Sequence, residues 1–142
     1  MFRQITETVF ASPQIGIDAI AHAKALGVVR IINNRPEGEE DDQPAGATIE
    51  TAAREAGMDY IAIPVTHAGF SQAQVDSMLD ALESAEGPVL AYCRSGTRST
   101  LLWALARAKA GDSPAVIASR AAAAGYDVSP VRQLIEMLAA GG

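Results

Sequence analysis

The chain reads as a single three-layer α/β domain with a mostly parallel central sheet and helices on both faces. Three observations predict this. Short apolar runs alternate with segments of helical period along the whole chain. Of those runs, Val28–Asn33 is mostly apolar and Val89–Tyr92 wholly so apart from the Tyr92 hydroxyl, as strands of a covered sheet are. And 142 residues at 49% hydrophobic content suit one domain that buries a real core. No repeat, linker or low-complexity segment divides the chain, so the domain is expected to span residues 1–142.

The elements follow in order. Arg3 to Ala11 alternates loosely through Ile5, Val9 and Phe10, which predicts one or two short strands as an edge hairpin. Ser12-Pro13 predicts a helix start, with serine as N-cap and proline in the first turn. Ile17, Ile20 and Ala21 would face inward as far as Leu26, and Gly27 would cap the end. His22 on this helix reads as a surface histidine. Val28–Asn33 is β-branched and predicts a central strand.

The stretch Asn34–Pro44 holds two prolines, a glycine and five acidic residues, so it is a loop. Its acidic run reads as solvated. Arg35 is the one cation at the strand's exit, where open α/β sheets place their ligand sites. Ala47–Ala56 predicts a helix closed by Gly57, and Met58–Val65 a further strand. Thr66–Phe70 is a loop carrying His67. Ser71 and Gln74 form a capping box. Val75, Met78, Leu79 and Leu82 then make one buried helical face.

Gly87-Pro88 breaks the chain before Val89–Tyr92. Beyond the polar loop that follows, Leu101, Leu102, Leu105 and Ala106 mark an almost wholly apolar helix, with Trp103 on its flank. Such a helix must be covered from more than one side. Ser113-Pro114 and Ser129-Pro130 predict two more helices to cover it. The second carries Val131, Leu134, Ile135 and Leu138 at helical spacing. Ala139–Gly142 is expected to fray. Trp103 or Phe70, if exposed, would mark a partner surface; core packing is the preferred reading.

The net charge of −6 argues against a nucleic-acid or anionic-membrane surface. No apolar run approaches the ~20 residues of a membrane span. The N-terminus shows no signal-peptide pattern, which predicts a cytoplasmic protein. The single cysteine makes no internal disulfide and is either an apolar filler or a reactive thiol. With one cysteine and two distant histidines, neither a metal nor a cofactor is expected.

The chemistry gathers in Cys93-Arg94-Ser95-Gly96-Thr97-Arg98-Ser99. A thiol at a strand end is followed by a glycine-bearing loop and a helix N-terminus. The loop amides, the positive end of the helix and Arg98 all favour a thiolate. Together with Arg94 they also suit the oxygens of an incoming anion. Gly96 permits the tight backbone path. Ser99 or Thr97 could donate a hydroxyl hydrogen bond to the sulfur. Cys93 and Arg98 are therefore the expected catalytic pair, and Arg94, Ser95, Gly96, Thr97 and Ser99 the anion-holding loop. Asn34, Arg35 and His67 lie on neighbouring strand ends.

The C-x4-R spacing resembles the active-site loop of rhodanese sulfurtransferases and is one residue shorter than that of cysteine-dependent phosphatases. Over nearly its full length the chain is similar to the beta-lactamase-hydrolase-like, phosphatase-like domains. Ala11-Ser12-Pro13-Gln14, Ile31-Ile32-Asn33-Asn34-Arg35-Pro36-Glu37-Gly38-Glu39 and Tyr92–Ser99 carry that similarity. The resemblance implies a dual-specificity-phosphatase-like fold with a rhodanese-length loop. Some relatives are fused to persulfide dioxygenase-type metallohydrolase domains and are regarded as sulfurtransferases.

Two enzyme chemistries and one inert reading follow. A phosphatase needs a general acid for the leaving oxygen. In phosphatases of this fold it is an aspartate on the loop before the cysteine strand, and here Pro64–Phe70 offers only His67. Sulfur transfer needs no such acid. Cys93 would take a sulfane sulfur from an anion such as thiosulfate and pass the persulfide to cyanide, glutathione or a protein thiol. The expectation is therefore a rhodanese-like sulfurtransferase. The alternative is a cysteine-dependent phosphatase acting on a phosphoryl compound through a phosphocysteine. The third reading is a non-catalytic anion- or partner-binding module.

Overall fold

Five four-residue strands form one sheet: β1 (Arg3–Thr6), β2 (Val9–Ser12), β3 (Arg30–Asn33), β4 (Asp59–Ala62) and β5 (Val89–Tyr92). Their order across the sheet is β1-β2-β5-β3-β4. The β1–β2 hairpin is antiparallel and at an edge, and every other pairing is parallel. This is a computed structural model, and it describes residues 1–141.

Helices cover both faces because the central strands are apolar on both. α1 (Asp18–Ala25) and α2 (Gly46–Glu55) set Ile20, Ala23, Ile49 and Ala53 against Phe10, Ile31, Leu90 and Tyr92. On the other face lie α3 (Gln72–Glu83), α4 (Thr97–Ala110), α5 (Pro114–Ala123) and α6 (Arg132–Gly141). There Met78, Leu102, Leu105, Ile117 and Ile135 pack over Val9, Ala11, Ile32, Val89 and Ala91. α4 is buried almost all round and packs against α3, α5 and α6, as its unbroken apolar character demanded. The capping box of Ser71 and Gln74 forms in full at the start of α3. Among the described residues no helix is long and apolar enough to cross a membrane.

The structure departs from expectation in four places. Ser12 does not cap a helix: it ends β2, paired with Tyr92, and α1 begins only at Asp18. Sheet pairing supplies partners for the backbone there and overrides the local Ser-Pro signal. β4 is shorter than Met58–Val65, although the Ile63 and Val65 amides still donate to the carbonyls of Asn33 (2.8 Å) and Asn34 (2.9 Å). Ser129-Pro130 opens a 3-10 turn before α6, and α6 runs on to Gly141 rather than fraying at Ala139; Gly142 lies outside the described residues. Leu134, placed on the apolar face of the last helix, is half exposed, whereas Trp103 is 1% exposed and belongs to the core, in line with the preferred reading.

Candidate active site

β5 is the middle strand, and all four of its residues are buried. It delivers Cys93 to the C-terminal edge of the sheet, where the Cys93 amide donates to the Ser12 carbonyl of β2 (3.3 Å). The chain then turns tightly into α4. Gly96, at φ +91, takes the left-handed conformation that the turn requires and that glycine adopts without strain. Its N–H donates to Cys93 Sγ at 3.1 Å. The thiol is fully buried, with the N-terminus of α4 directed at it.

The loop hydroxyls are engaged elsewhere than at the sulfur. Ser99 Oγ donates to Asn34 Oδ1 (2.7 Å), Thr97 Oγ1 pairs with Ser95 Oγ (3.0 Å), and Thr100 Oγ1 donates to the Gly96 carbonyl (2.9 Å). The donor to sulfur is thus a backbone amide, where a side-chain hydroxyl was expected. A hydroxyl on the first turn of a helix points back along the helix or sideways to a neighbouring strand, and Asn34 stands there.

Arg98 is held at the mouth of this loop. Its Nη1 donates to Glu39 Oε2 (2.7 Å) and to the Val65 carbonyl (2.7 Å), and its Nη2 donates to Glu39 Oε1 (2.9 Å). Arg35 approaches the same carboxylate from behind, with Nε donating to Glu39 Oε1 (2.8 Å). The Arg98 guanidinium, with Arg35 beside it, holds the Glu39 carboxyl at about 2 against the cost of burial. Arg35 is itself buried, and donates through Nη2 to Glu40 Oε1 (2.7 Å) and through Nη1 to Gln14 Oε1 (3.0 Å). Arg94 is largely exposed, its Nε 3.3 Å from Glu40 Oε1.

The acidic loop is largely exposed, as its composition suggested, but three of its carboxylates are also tied into the fold. Glu37 accepts the Gly46 amide at the start of α2 (3.0 and 3.1 Å), Glu39 bridges two arginines, and Glu40 pairs with Arg35 and Arg94. Of the five acids only Glu39 is partly buried; Glu37, Glu40, Asp41 and Asp42 are exposed. The loop also folds on itself, Gln43 Nε2 donating to the Pro36 carbonyl (2.8 Å) and the Glu39 amide to Gln43 Oε1 (3.0 Å).

Asn34 knits three strand ends together. Its amide donates to the Tyr92 carbonyl (2.8 Å), its Nδ2 to the Ile63 carbonyl (2.9 Å), and its Oδ1 accepts from Ser99. Of the residues singled out in the sequence, Cys93 to Ser99, Asn34 and Arg35 converge. His67 does not join the network; it is exposed on the turn Thr66–Gly69. Two participants were not expected at the site, although Gln14 lies in one of the stretches that carry the family resemblance. Gln14, whose amide also donates to the Arg94 carbonyl (3.2 Å), sits in a stretch read as helix. Tyr126, whose hydroxyl donates to the Ser95 carbonyl (3.3 Å), follows α5 at a position that local pattern does not mark.

A family model described as "Beta-lactamase hydrolase-like protein, phosphatase-like domain" matches residues 1–110. The chain belongs to this family. It is 38% identical over 101 residues to the beta-lactamase hydrolase-like protein of Xylella fastidiosa, covering 71% of this chain and 23% of that one. The chain thus spans about a quarter of the length of the curated relatives it matches. A crystal structure from Neisseria meningitidis, of a protein proposed to be a phosphatase, is 35% identical with a TM-score of 0.84, covering 96% of each chain. The catalytic domain of the PP-IP phosphatase SIW14 from S. cerevisiae, solved with citrate, shares the fold at 15% identity, with a TM-score of 0.71 and coverage of 96% and 83%.

These findings overturn the expectation of sulfur transfer. The family and the Neisseria structure both point to a phosphatase-like hydrolase. Loop length was a poor discriminator, because a ring of amides and one arginine holds a tetrahedral anion whether sulfur or phosphoryl transfer follows. What decides between the two is the family match over residues 1–110 and the likeness to the Neisseria structure over 96% of the chain.

Proposed function

We propose that this domain is a cysteine-dependent phosphatase that hydrolyses a phosphomonoester through a phosphocysteine on Cys93. One observation carries the reading: Cys93 Sγ receives the Gly96 amide inside a closed loop whose arginine is already locked in place, on a fold shared with a protein proposed to be a phosphatase.

The Cys93 thiolate attacks phosphorus, and an S–P bond forms. The bond from phosphorus to the leaving oxygen breaks, its electron pair staying on that oxygen, which then takes a proton. The non-bridging oxygens lie against the loop amides, the N-terminus of α4 and the Arg98 guanidinium, where charge builds during transfer. Water then attacks phosphorus, the S–P pair returns to sulfur, and phosphate leaves.

Glu39 is not the proton donor, because a carboxyl that titrates at about 2 is ionised at working pH. The loop after β4 contains His67 and no carboxylate. A site with weak acid assistance favours leaving groups that bear negative charge well, so aryl phosphates are the proposed substrate class, with His67 as the candidate donor. A catalytic thiol also has to remain reduced, which suits the cytoplasm.

The test is phosphate release from p-nitrophenyl phosphate, and its loss in Cys93→Ser. Folded protein with an alkylatable Cys93 that releases no phosphate from any aryl phosphate would overturn the reading and leave an inert anion-binding module.

A further inference from the structure

The Ser95–Gly96 peptide is gripped on both sides. Its N–H donates to Cys93 Sγ at 3.1 Å, and its carbonyl accepts from the Tyr126 hydroxyl at 3.3 Å. In a planar trans peptide the N–H and C=O point in opposite directions, so whatever fixes the oxygen also fixes the aim of the hydrogen.

Tyr126 is well placed for that task. Its own amide donates to the Ala121 carbonyl (2.9 Å) and closes α5. The Arg3 guanidinium of β1 lies 5.7 Å from the ring centroid, while Arg3 Nη1 donates to the Ala124 carbonyl (3.1 Å), so the edge hairpin braces the ring. A Cβ on Gly96 would collide with the Tyr126 hydroxyl. The ring thus presses on the outer side of the loop, behind the face that meets an anion. Burial pushes the phenol upward in spite of Arg3, so the hydroxyl remains a donor throughout the working pH range.

We propose that Tyr126 is a positioning residue of the site: it holds the Ser95 carbonyl and so aims the Gly96 N–H at the Cys93 sulfur and, once the substrate is bound, at a phosphoryl oxygen. The inference rests on Cys93 being the nucleophile. It also makes the C-terminal helices part of the active site, since Tyr126 lies beyond the residues 1–110 matched by the family model.

Tyr126→Phe removes the hydroxyl and keeps the ring. Three readouts are taken: the pH profile of Cys93 alkylation by iodoacetamide, kcat and KM on p-nitrophenyl phosphate, and the thermal midpoint. For one lost hydrogen bond the alkylation profile moves to higher pH by about half a unit, and kcat falls roughly fivefold with KM within about twofold. Tyr126→Leu, which also lacks the hydroxyl, shifts the profile at least as far. An alkylation profile that stays in place in either folded variant overturns the proposal, whether or not the thermal midpoint drops. Alkylation needs no substrate, so the role of Tyr126 is tested even if the phosphatase reading itself fails.

Discussion

Glu39 and Arg98 stand 59 positions apart in the chain and meet at two points, Nη1 to Oε2 at 2.7 Å and Nη2 to Oε1 at 2.9 Å. The pairing fixes the plane of the guanidinium before any substrate arrives. Because Arg98 Nη1 is also tied to the Val65 carbonyl, the side chain has little freedom to lose on binding.

Glu39→Gln keeps the shape of the side chain and removes its charge. Arg35, buried behind it, loses half of its carboxylate neighbours, and Arg98 loses its two-point partner. The expected cost is about 2 kcal/mol in a urea melt and roughly 10- to 100-fold in kcat/KM. A variant with full activity would show that Arg98 needs no such brace.

The same pair sets an acid dependence. The Glu39 carboxyl titrates at about 2 when folded, against an ordinary value of 4.5. A depressed folded value means the stabilisation is fully present above the ordinary value and is lost as pH falls towards about 2. The stability gap between the natural protein and Glu39→Gln should therefore be constant above pH 5 and close progressively below about 4.5. Urea melts across pH 3 to 7 check it; a gap that does not narrow in acid contradicts the assignment.

Arg98→Lys retains a cation and loses the planar fork. An ammonium has three N–H donors on one atom and cannot serve both Glu39 oxygens, the Val65 carbonyl and a phosphoryl oxygen at once. Turnover should fall by about 100-fold or more while the circular dichroism spectrum stays native. A loss of less than about tenfold would remove Arg98 from the reacting centre.

The choice of leaving group reports on the missing carboxylate. Aryl phosphates should exceed alkyl phosphates by at least ~100-fold in kcat/KM. With His67 as donor, His67→Ala slows phenyl phosphate about tenfold and leaves p-nitrophenyl phosphate within about twofold, because the better leaving group needs less protonation. Equal effects on both substrates would exclude the histidine as the acid.

Gly96→Ala imposes two separate penalties, a left-handed backbone at φ +91 and a Cβ against the Tyr126 hydroxyl. The expected destabilisation is about 2 kcal/mol or more. Adding Tyr126→Phe should relieve the hydroxyl's share of the clash and leave the backbone penalty and the tight approach to the ring carbon Cζ at 2.9 Å, a coupling that a double-mutant cycle in denaturant melts measures directly.

Much of the scaffold is legible in local pattern. The capping box at Ser71, the proline-started α5 and the apolar α4 all rest on interactions spanning a few residues, and all appear as read. Ser12-Pro13 misled because β5 offered Ser12 a better partner than a helix did. Composition read the exposure of most of the acidic loop correctly and missed its ion pairs, because Arg35 and Arg98 reach Glu39 only after the sheet has formed.

The sequence by itself determined the α/β alternation, the strand-end thiol with its glycine and arginine, and the family resemblance. Those features are short-range or contiguous, so their physics is complete within a dozen residues. Only the tertiary structure decided which carboxylate meets Arg98, that Gln14 and Tyr126 attend the site, and that the loop hydroxyls leave the sulfur to a backbone amide. The strand order places β3 and β2 on either side of β5. Charges and donors that are remote along the chain become neighbours at the C-terminal edge of those strands, and an interaction that depends on such a meeting leaves no periodic trace in the sequence.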